Sequence, residues 1–257
     1  MTDRGVQRRI LDSLLLQPDD VVLEIGAGRG AMTELLAARA ASVHALELDH
    51  ALALLLHRKF DSNPRVKLWE ADILKFSIDS VAHAAGREKI KVFGNLPYYI
   101  TSPCLIHLFH YHFCIEEIVV MVQEEVARRI VAKPAAVDYG LLSLTCQYYA
   151  QPVLLFSVGP KSFSPPPHVR SALVRMCIAP QREALGIQER DEKTFLNQLR
   201  AAFSQKRKTL FNNWKAIWEE ERLRVAMEKV GVDVRARAET LSLKQFAALF
   251  HALRARH

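Results

Sequence analysis

The sequence predicts an α/β fold built on a parallel sheet, followed by a small all-helical domain, and three observations carry that reading. Short β-type apolar runs alternate with helical stretches through the first two-thirds of the chain. A glycine-rich turn joins the first of these runs to the first helical stretch. From Asp191 onward only helical patterns appear.

VVLEI (21–25) is a strand, GAGRG (26–30) a turn, and AMTELLAARA a helix. SVHALEL (42–48), VKLWE (66–70) and IKVFG (90–94) are three further strands, with the helix ALALLLHRKF (51–60) after the second. The pattern goes on with a helix from Cys104 to His112, a strand from Ile118 to Val122 and a helix from Glu124 to Val131. A helix across Gly140 to Tyr149, a strand near Pro152 to Val158, the turn FSPPPHV (163–169) and the strand SALVRMCI (171–178) complete the α/β part. Pro180 to Arg190 has the composition of a connector, and the helical patterns TFLNQLRAAF, KRKTLFNNWKAIW, ERLRVAMEKV and LSLKQFAALFHAL come after it. The expected division is 1–185 for the sheet domain and 186–257 for the helical one.

At 257 residues, half of them hydrophobic, the chain can bury a sizeable core. Its start, MTDRGVQRRILDSLL, lacks the apolar region of a signal peptide, and no window gives 18 uninterrupted apolar residues. Cys104, Cys114, Cys146 and Cys177 are widely spaced without a CxxC pair, which fits reduced thiols and a cytosol-like, cytoplasmic setting. Charge is uneven. Residues 1–185 carry 20 Lys/Arg against 19 Asp/Glu, whereas 186–257 carry 15 against 9, so almost all of the net +7 sits in the last quarter. Such an asymmetry points to a segment that meets a polyanion, the plainer alternative being a set of solvated basic helices.

A glycine-rich turn between strand and helix lets backbone N–H groups approach a ligand. Gly26 and Gly28 lie in that turn, and Glu47, nineteen residues past Gly28, falls at the end of the second strand, where a carboxylate can accept both hydroxyls of a ribose. Asp72, after the third strand, is a second acceptor that can hold an adenine amine or cap a helix after it. The loop alone also satisfies the dinucleotide pattern G-x-G-x-x-A, so a nicotinamide cofactor stays open, as does a purely structural use of the glycines.

After the fourth strand comes FGNLPYYITSP (93–103). An exocyclic adenine amine is a weak nucleophile because its lone pair is delocalised into the ring. Two acceptors on its N–H groups free that lone pair. The Asn95 side-chain oxygen and a backbone carbonyl beside Pro97 can form such a pair. Tyr98 offers an aromatic face to a base lifted from its stack, and Phe163 in the Pro-stiffened turn is a candidate for the other face. The alternative is a turn-forming Asn and a core Tyr.

EIGAGRG, ALELD, EAD, FGNLPYYITSP, MVQEEVARRIVAKP with DYGLLSLTCQYY, FSPPPHVRSALVRM and AETLSLKQFAAL together resemble the KsgA-type small-subunit rRNA adenine dimethyltransferases from Thr2 onward. The resemblance implies a Rossmann-like class I methyltransferase domain with a small helical domain, S-adenosylmethionine as donor, and N6,N6-dimethylation of two adjacent adenosines near the 3′ end of small-subunit rRNA. It implies the small ribosomal subunit and its rRNA as partners; no membrane is expected for want of a long apolar window, and a monomer is the default expectation. By position, Gly26 and Gly28 would approach the methionine part of the donor, Glu47 the ribose and Asp72 the donor adenine; Asn95, Leu96, Pro97 and Tyr98 would bind the target base, with Phe163 nearby. Two departures stand out. The sequence starts at Met1-Thr2, without the QNFL- or QHFL-like segment that in the family precedes the position of Asp3 and helps close over donor and RNA. His168 stands where Lys is more usual, which weakens a phosphate contact.

Lys206, Arg207 and Lys208, with Lys215 beyond them, form a cationic group at an expected helix start, suited to rRNA phosphates. His107, His110 and His112 do not share one helix face, so no metal is expected there. EEVARR (124–129) has the i,i+4 spacing of a charged helix face. Two rivals remain at this level: a dimethyltransferase directed at 23S rRNA, which shares the Asn-Leu/Ile-Pro-Tyr signature, and a non-catalytic RNA-binding factor on the same scaffold.

Overall fold

The computed structural model describes residues 2–255. Seven strands, β1 (Val21–Ile25), β2 (Ser42–Glu47), β3 (Val66–Glu70), β4 (Ile90–Asn95), β5 (Ile115–Gln123), β6 (Ala150–Val158) and β7 (Ser171–Ile178), form one sheet in the order β3-β2-β1-β4-β5-β7-β6. The pairs β3–β2, β2–β1, β1–β4 and β4–β5 are parallel, and β7 runs antiparallel to β5. The order reverses between β1 and β4. Ligands of open α/β sheets bind outside the carboxyl ends of the strands at such a switch point.

Helices α1 (Arg4–Ser13), α2 (Ala31–Ala37), α3 (His50–Phe60), α4 (Asp79–Ala85), α5 (Thr101–His110) and α6 (Glu124–Val131) accompany the strands. Every residue of β1 is buried, as expected of a central parallel strand covered on both faces. Ile10, Leu11 and Leu14 from the first helical segment, Leu36 from α2, and Phe93, Val119 and Leu173 from the sheet meet in one core cluster.

Helices α1 and α4 are additions to the elements expected from sequence. Asp3 starts α1 by accepting the amides of Gly5 (2.9 Å) and Val6 (3.1 Å), and the Val6 bond, then the Ser162 hydroxyl (3.1 Å), hold its carboxyl below the usual range. Helix α5 begins at Thr101 rather than Cys104, because Pro103 is accommodated in a first turn, where its missing N–H costs nothing.

The remaining helices are α7 (Leu141–Tyr149), α8 (Glu189–Ala202), α9 (Leu210–Trp214), α10 (Glu220–Val230) and α11 (Leu243–Arg254). The chain divides into two compact units: one runs to Ala127 and resumes over Gln151–Ile178, the other comprises Arg128–Ala150 and the chain from Ala179 on. Residues 128–150 join the helices through long-range bonds. Tyr139 donates its hydroxyl to the Leu241 carbonyl (3.0 Å), Ala135 N–H donates to Glu239 O (2.8 Å), and Tyr148 donates to Glu192 Oε1 (2.9 Å). Tyr148, Phe195, Trp214, Phe246 and Phe250 are fully buried in this unit. The expected helix KRKTLFNNWKAIW shrinks to α9. Thr209 takes its N-cap by accepting the Asn212 amide, which leaves Lys206–Lys208 in a turn ahead of the helix.

Candidate active site

At the carboxyl ends of the parallel strands the sheet unit opens a cleft of about 350 Å³, bordered by Gly26, Glu47, Leu48, Asp72, Pro97 and Tyr99 among others. The three loop glycines all have positive φ, between 59° and 73°, but serve different ends. A Cβ on Gly26 or Gly28 would meet nothing nearer than 3.8 Å and 4.0 Å, so these two leave open space for a ligand. A Cβ on Gly30 would lie 2.6 Å from the Phe60 ring and 2.8 Å from a Leu56 methyl. Both neighbours are buried, so Gly30 is a packing glycine.

Glu47 ends β2 with its carboxylate already oriented. Oε2 accepts the Gly28 amide (2.7 Å), and Oε1 accepts those of Leu48 (2.9 Å) and Asp49 (3.0 Å). A carboxylate has about four lone-pair sites, so with three amides bound one site, on Oε2, is left for a ribose hydroxyl. Asp72 borders the same cleft and accepts the Leu74 amide through Oδ1 (2.9 Å); the chain beyond it forms a turn, not a helix.

Sequence reasoning missed Glu24. Its side chain is buried in β1 and accepts the Thr33 hydroxyl at 2.6 Å. Desolvation, opposed by the Thr33 bond and aided by the charge of Glu47, pushes its pKa up to about 8, so it is neutral at pH 7. The only available signal was the position itself, two residues before the glycine turn in an otherwise apolar strand.

Asn95 closes β4 with an exposed side chain. Leu96 is buried and donates its N–H to Met121 O (3.0 Å), which pins the loop to β5. The Pro97 carbonyl accepts from Ile100 N–H (3.1 Å) and the Thr101 hydroxyl (3.3 Å). The carbonyl beside Pro97 that stays unspent among the described residues is therefore that of Leu96. Tyr98 is 38 % exposed with its hydroxyl 3.3 Å from Ser171 Oγ, and Tyr99 borders the cleft at 82 % exposure. Thus Gly26, Glu47, Asp72 and Pro97 converge on one cleft, Gly28 reaches it through Glu47, and Asn95, Leu96 and Tyr98 share the adjoining loop. Phe163 is half-buried against the core cluster that contains Ile10 and Leu36, and does not line the cleft.

Lys206, Arg207 and Lys208 are exposed in the helical unit. His107 and His112 are bonded to the carbonyls of Phe76 and Phe109, each at 2.9 Å, and no cluster among the described residues has the ligands for a metal ion. All four cysteines are free thiols; burial pushes Cys104 up to about 12 and Cys114 up to about 11, so neither is a ready nucleophile.

The family model described as ribosomal RNA adenine dimethylase matches residues 1–255. The chain belongs to this family. Among curated relatives, a ribosomal RNA small subunit methyltransferase A of Koribacter versatilis is 42% identical over 99% of this chain and 92% of its own. One of the same name from Acidobacterium capsulatum is 43% identical over 96% and 86%. Among solved structures, a dimethyladenosine transferase of Plasmodium falciparum superposes with a TM-score of 0.81 at 23% identity, covering 97% of this chain and 95% of that one, and shares the fold. The 23S rRNA methyltransferase ErmE superposes with a TM-score of 0.74 at 25% identity over 99% of both chains. No helix among the described residues is long and apolar enough to cross a membrane.

Proposed function

We propose that this adenine dimethylase transfers methyl groups from S-adenosylmethionine to N6 of two adjacent adenosines near the 3′ end of small-subunit rRNA, during small-subunit biogenesis in the cytoplasm. The observation that carries the reading is the pair of unspent acceptors, the Asn95 amide oxygen and the Leu96 carbonyl, beside a cleft with an oriented carboxylate. The cleft fits the donor: Gly26 and Gly28 leave room where a side chain would intrude, and Glu47 Oε2 keeps one acceptor site for a ribose hydroxyl. When bound, S-adenosylmethionine supplies an electrophilic methyl on a sulfonium.

The chain's own residues position the nucleophile. Asn95 Oδ1 and the Leu96 carbonyl accept the two amine hydrogens, Tyr98 stacks on the extruded base, and Asp72 receives the donor's adenine amine. No strong general base is needed, because the amine proton is acidified once the nitrogen carries a fourth substituent. Two rounds require that the same acceptors admit the monomethylated amine, which has a single N–H left to give. The full-length relatives named for the small subunit, at 42–43% identity, favour that substrate over 23S rRNA, for which the likeness to ErmE stands at 25%.

Purified small subunits lacking these modifications, large subunits and free rRNA are incubated with labelled donor, and the product nucleosides are identified by mass. Dimethyladenosine confined to small subunits is expected, with Asn95→Ala abolishing transfer while calorimetric donor affinity stays close to wild type. Label in large subunits only, or loss of donor binding in the variant, would overturn the substrate or the role of Asn95 respectively.

A further inference from the structure

Two tyrosines stand side by side in the loop after β4, and their surroundings differ. Tyr99 is 82 % exposed, and its hydroxyl makes no hydrogen bond among the described residues. Tyr98 is less exposed, and its hydroxyl lies 3.3 Å from Ser171 Oγ, 73 residues further along the chain. Ser171 opens β7, where it pairs with Gln123 at the end of β5. Its neighbour Arg170 fixes that corner twice: the Arg170 carbonyl accepts the Glu124 amide (3.0 Å), and Arg170 Nε donates to Glu124 Oε2 (3.1 Å). The loop is therefore held at two points by adjoining strands. Leu96 N–H reaches Met121 O on β5, and the Tyr98 hydroxyl reaches Ser171 on β7.

Ser171 is the one buried polar side chain of a strand whose other buried members are Ala172, Leu173, Val174 and Met176. A buried hydroxyl needs a partner, and among the described residues Tyr98 is the side chain that gives it one. The bond uses the edge of the tyrosine ring and not its faces. A ring held at its hydroxyl has given up its freedom before any ligand arrives, so stacking on it costs less order when it forms. That matters in this loop, because Phe163 does not line the cleft and Tyr98 is the aromatic face next to Asn95 and Leu96. A phenylalanine would present the same face without the tether.

We propose that Ser171 is a positioning residue for methyl transfer: through its bond to the Tyr98 hydroxyl it sets the ring in the pose that stacks on the extruded adenine, with N6 toward Asn95 and Leu96. The proposal rests on the reading given under Proposed function. Ser171 touches neither donor nor base, and acts on the reacting nitrogen only through Tyr98. Its effect falls on kcat, since the tether matters once the base has left its stack, whereas docking of the subunit engages far more surface than one base. A hydroxyl that served packing alone would show in the unfolding midpoint and leave kcat as it was.

The test uses the full chain, saturating donor and purified small subunits that lack these modifications, and reads kcat and the KM for subunits with the thermal midpoint alongside. Expected for Ser171→Ala is about fivefold lower kcat at unchanged KM, with Ser171→Thr, which keeps the hydroxyl, at the wild-type rate. Tyr98→Phe keeps the face and loses the tether, so it should show the same loss. The double variant should lose no more than either single one, because all three lack the same bond. Wild-type kcat in Ser171→Ala or in Tyr98→Phe, or losses that multiply to about 25-fold in the double variant, would overturn the positioning role. So would an equal loss in Ser171→Thr at a wild-type midpoint. Should Ser171→Ala fail to fold, Tyr98→Phe decides alone. A wild-type chain that labels no small subunits would instead refute the rRNA reading and this role with it.

Discussion

The sheet unit carries 16 Lys/Arg against 17 Asp/Glu, and the helical unit 19 against 11. One is near neutral at −1 and the other is +8, although both are ordinary in composition. On the proposed reading, the difference reflects what each unit holds. A sulfonium donor and a neutral base are bound by carboxylates, carbonyls and aromatic faces, so net positive charge near Glu47 and Asp72 would work against the site. A ribosomal RNA backbone is bound by cations that release its counterions. Taking residues 128–150 with the helices sharpens the contrast beyond the division at 185, which gave +1 and +6, because Arg128, Arg129 and Lys133 change sides against the one acid Asp138.

If the units divide the work in this way, variants in one should spare the other's ligand. Glu47→Ala gives the largest expected effect. It removes the charge-assisted hydrogen bond proposed to reach the ribose and releases the Gly28, Leu48 and Asp49 amides, so donor affinity measured by calorimetry should fall about 100-fold. Subunit binding should not change; a parallel loss there would break the comparison.

Gly30→Ala comes next, because left-handed backbone and a clash with two buried side chains coincide, at a cost of about 3 kcal/mol in denaturant unfolding. Gly28→Ala carries only the backbone penalty, about 1 kcal/mol, and should instead show its main effect on donor binding.

Glu24 offers a pH test within the sheet unit. Its folded pKa, about 8, lies above its usual 4.5, so the native state keeps a proton that the unfolded chain loses. Its contribution to stability is complete below about pH 4.5 and is lost as pH rises through 8. Glu24→Gln should abolish that loss, so wild-type minus variant thermal midpoints should decline between pH 5 and 8. Parallel curves would mean that Glu24 ionises in the fold.

Replacing Lys206, Arg207 and Lys208 together with Ala should weaken subunit binding and lower the slope of log affinity against log salt by about 2, at roughly 0.7 per lost phosphate contact. Donor affinity should be untouched. The smallest effect is expected for Ala135→Gly. Ala135 is left-handed at φ 66°, and glycine relieves that strain while adding freedom to the unfolded chain, for a net gain of about 0.5 kcal/mol in thermal unfolding.

Much of the sheet unit was legible in the sequence because parallel strands buried on both faces are continuous apolar runs, as in VVLEI, and their carboxyl ends are marked by glycine, acid or Asn-Leu-Pro-Tyr. Helix α1 was less legible: Asp3 is a readable cap, but the helix is short and its apolar side is Val6, Ile10 and Leu11, with Leu14 at its C-cap. The run from Lys206 to Trp218 misled in the opposite direction. Its composition suits a helix throughout, and only the Thr209 cap shows where α9 starts.

Residue types and their order determined by themselves that this chain would build a parallel sheet with a glycine turn after its first strand, an acid at the end of its second and an Asn-Leu-Pro-Tyr loop after its fourth, since each of these is a local pattern of a few residues. Tertiary structure decided the rest. That Gly30 serves packing depends on Phe60 and Leu56, some thirty residues away. That Leu96, rather than Pro97, has the free carbonyl depends on the turn into α5, and that Glu24 holds a proton depends on complete burial beside Thr33. The same holds for the bond between Tyr98 and Ser171, which lie 73 residues apart in the chain. Desolvation, steric contact and hydrogen-bond competition are set by neighbours in space, and a linear pattern does not contain those neighbours.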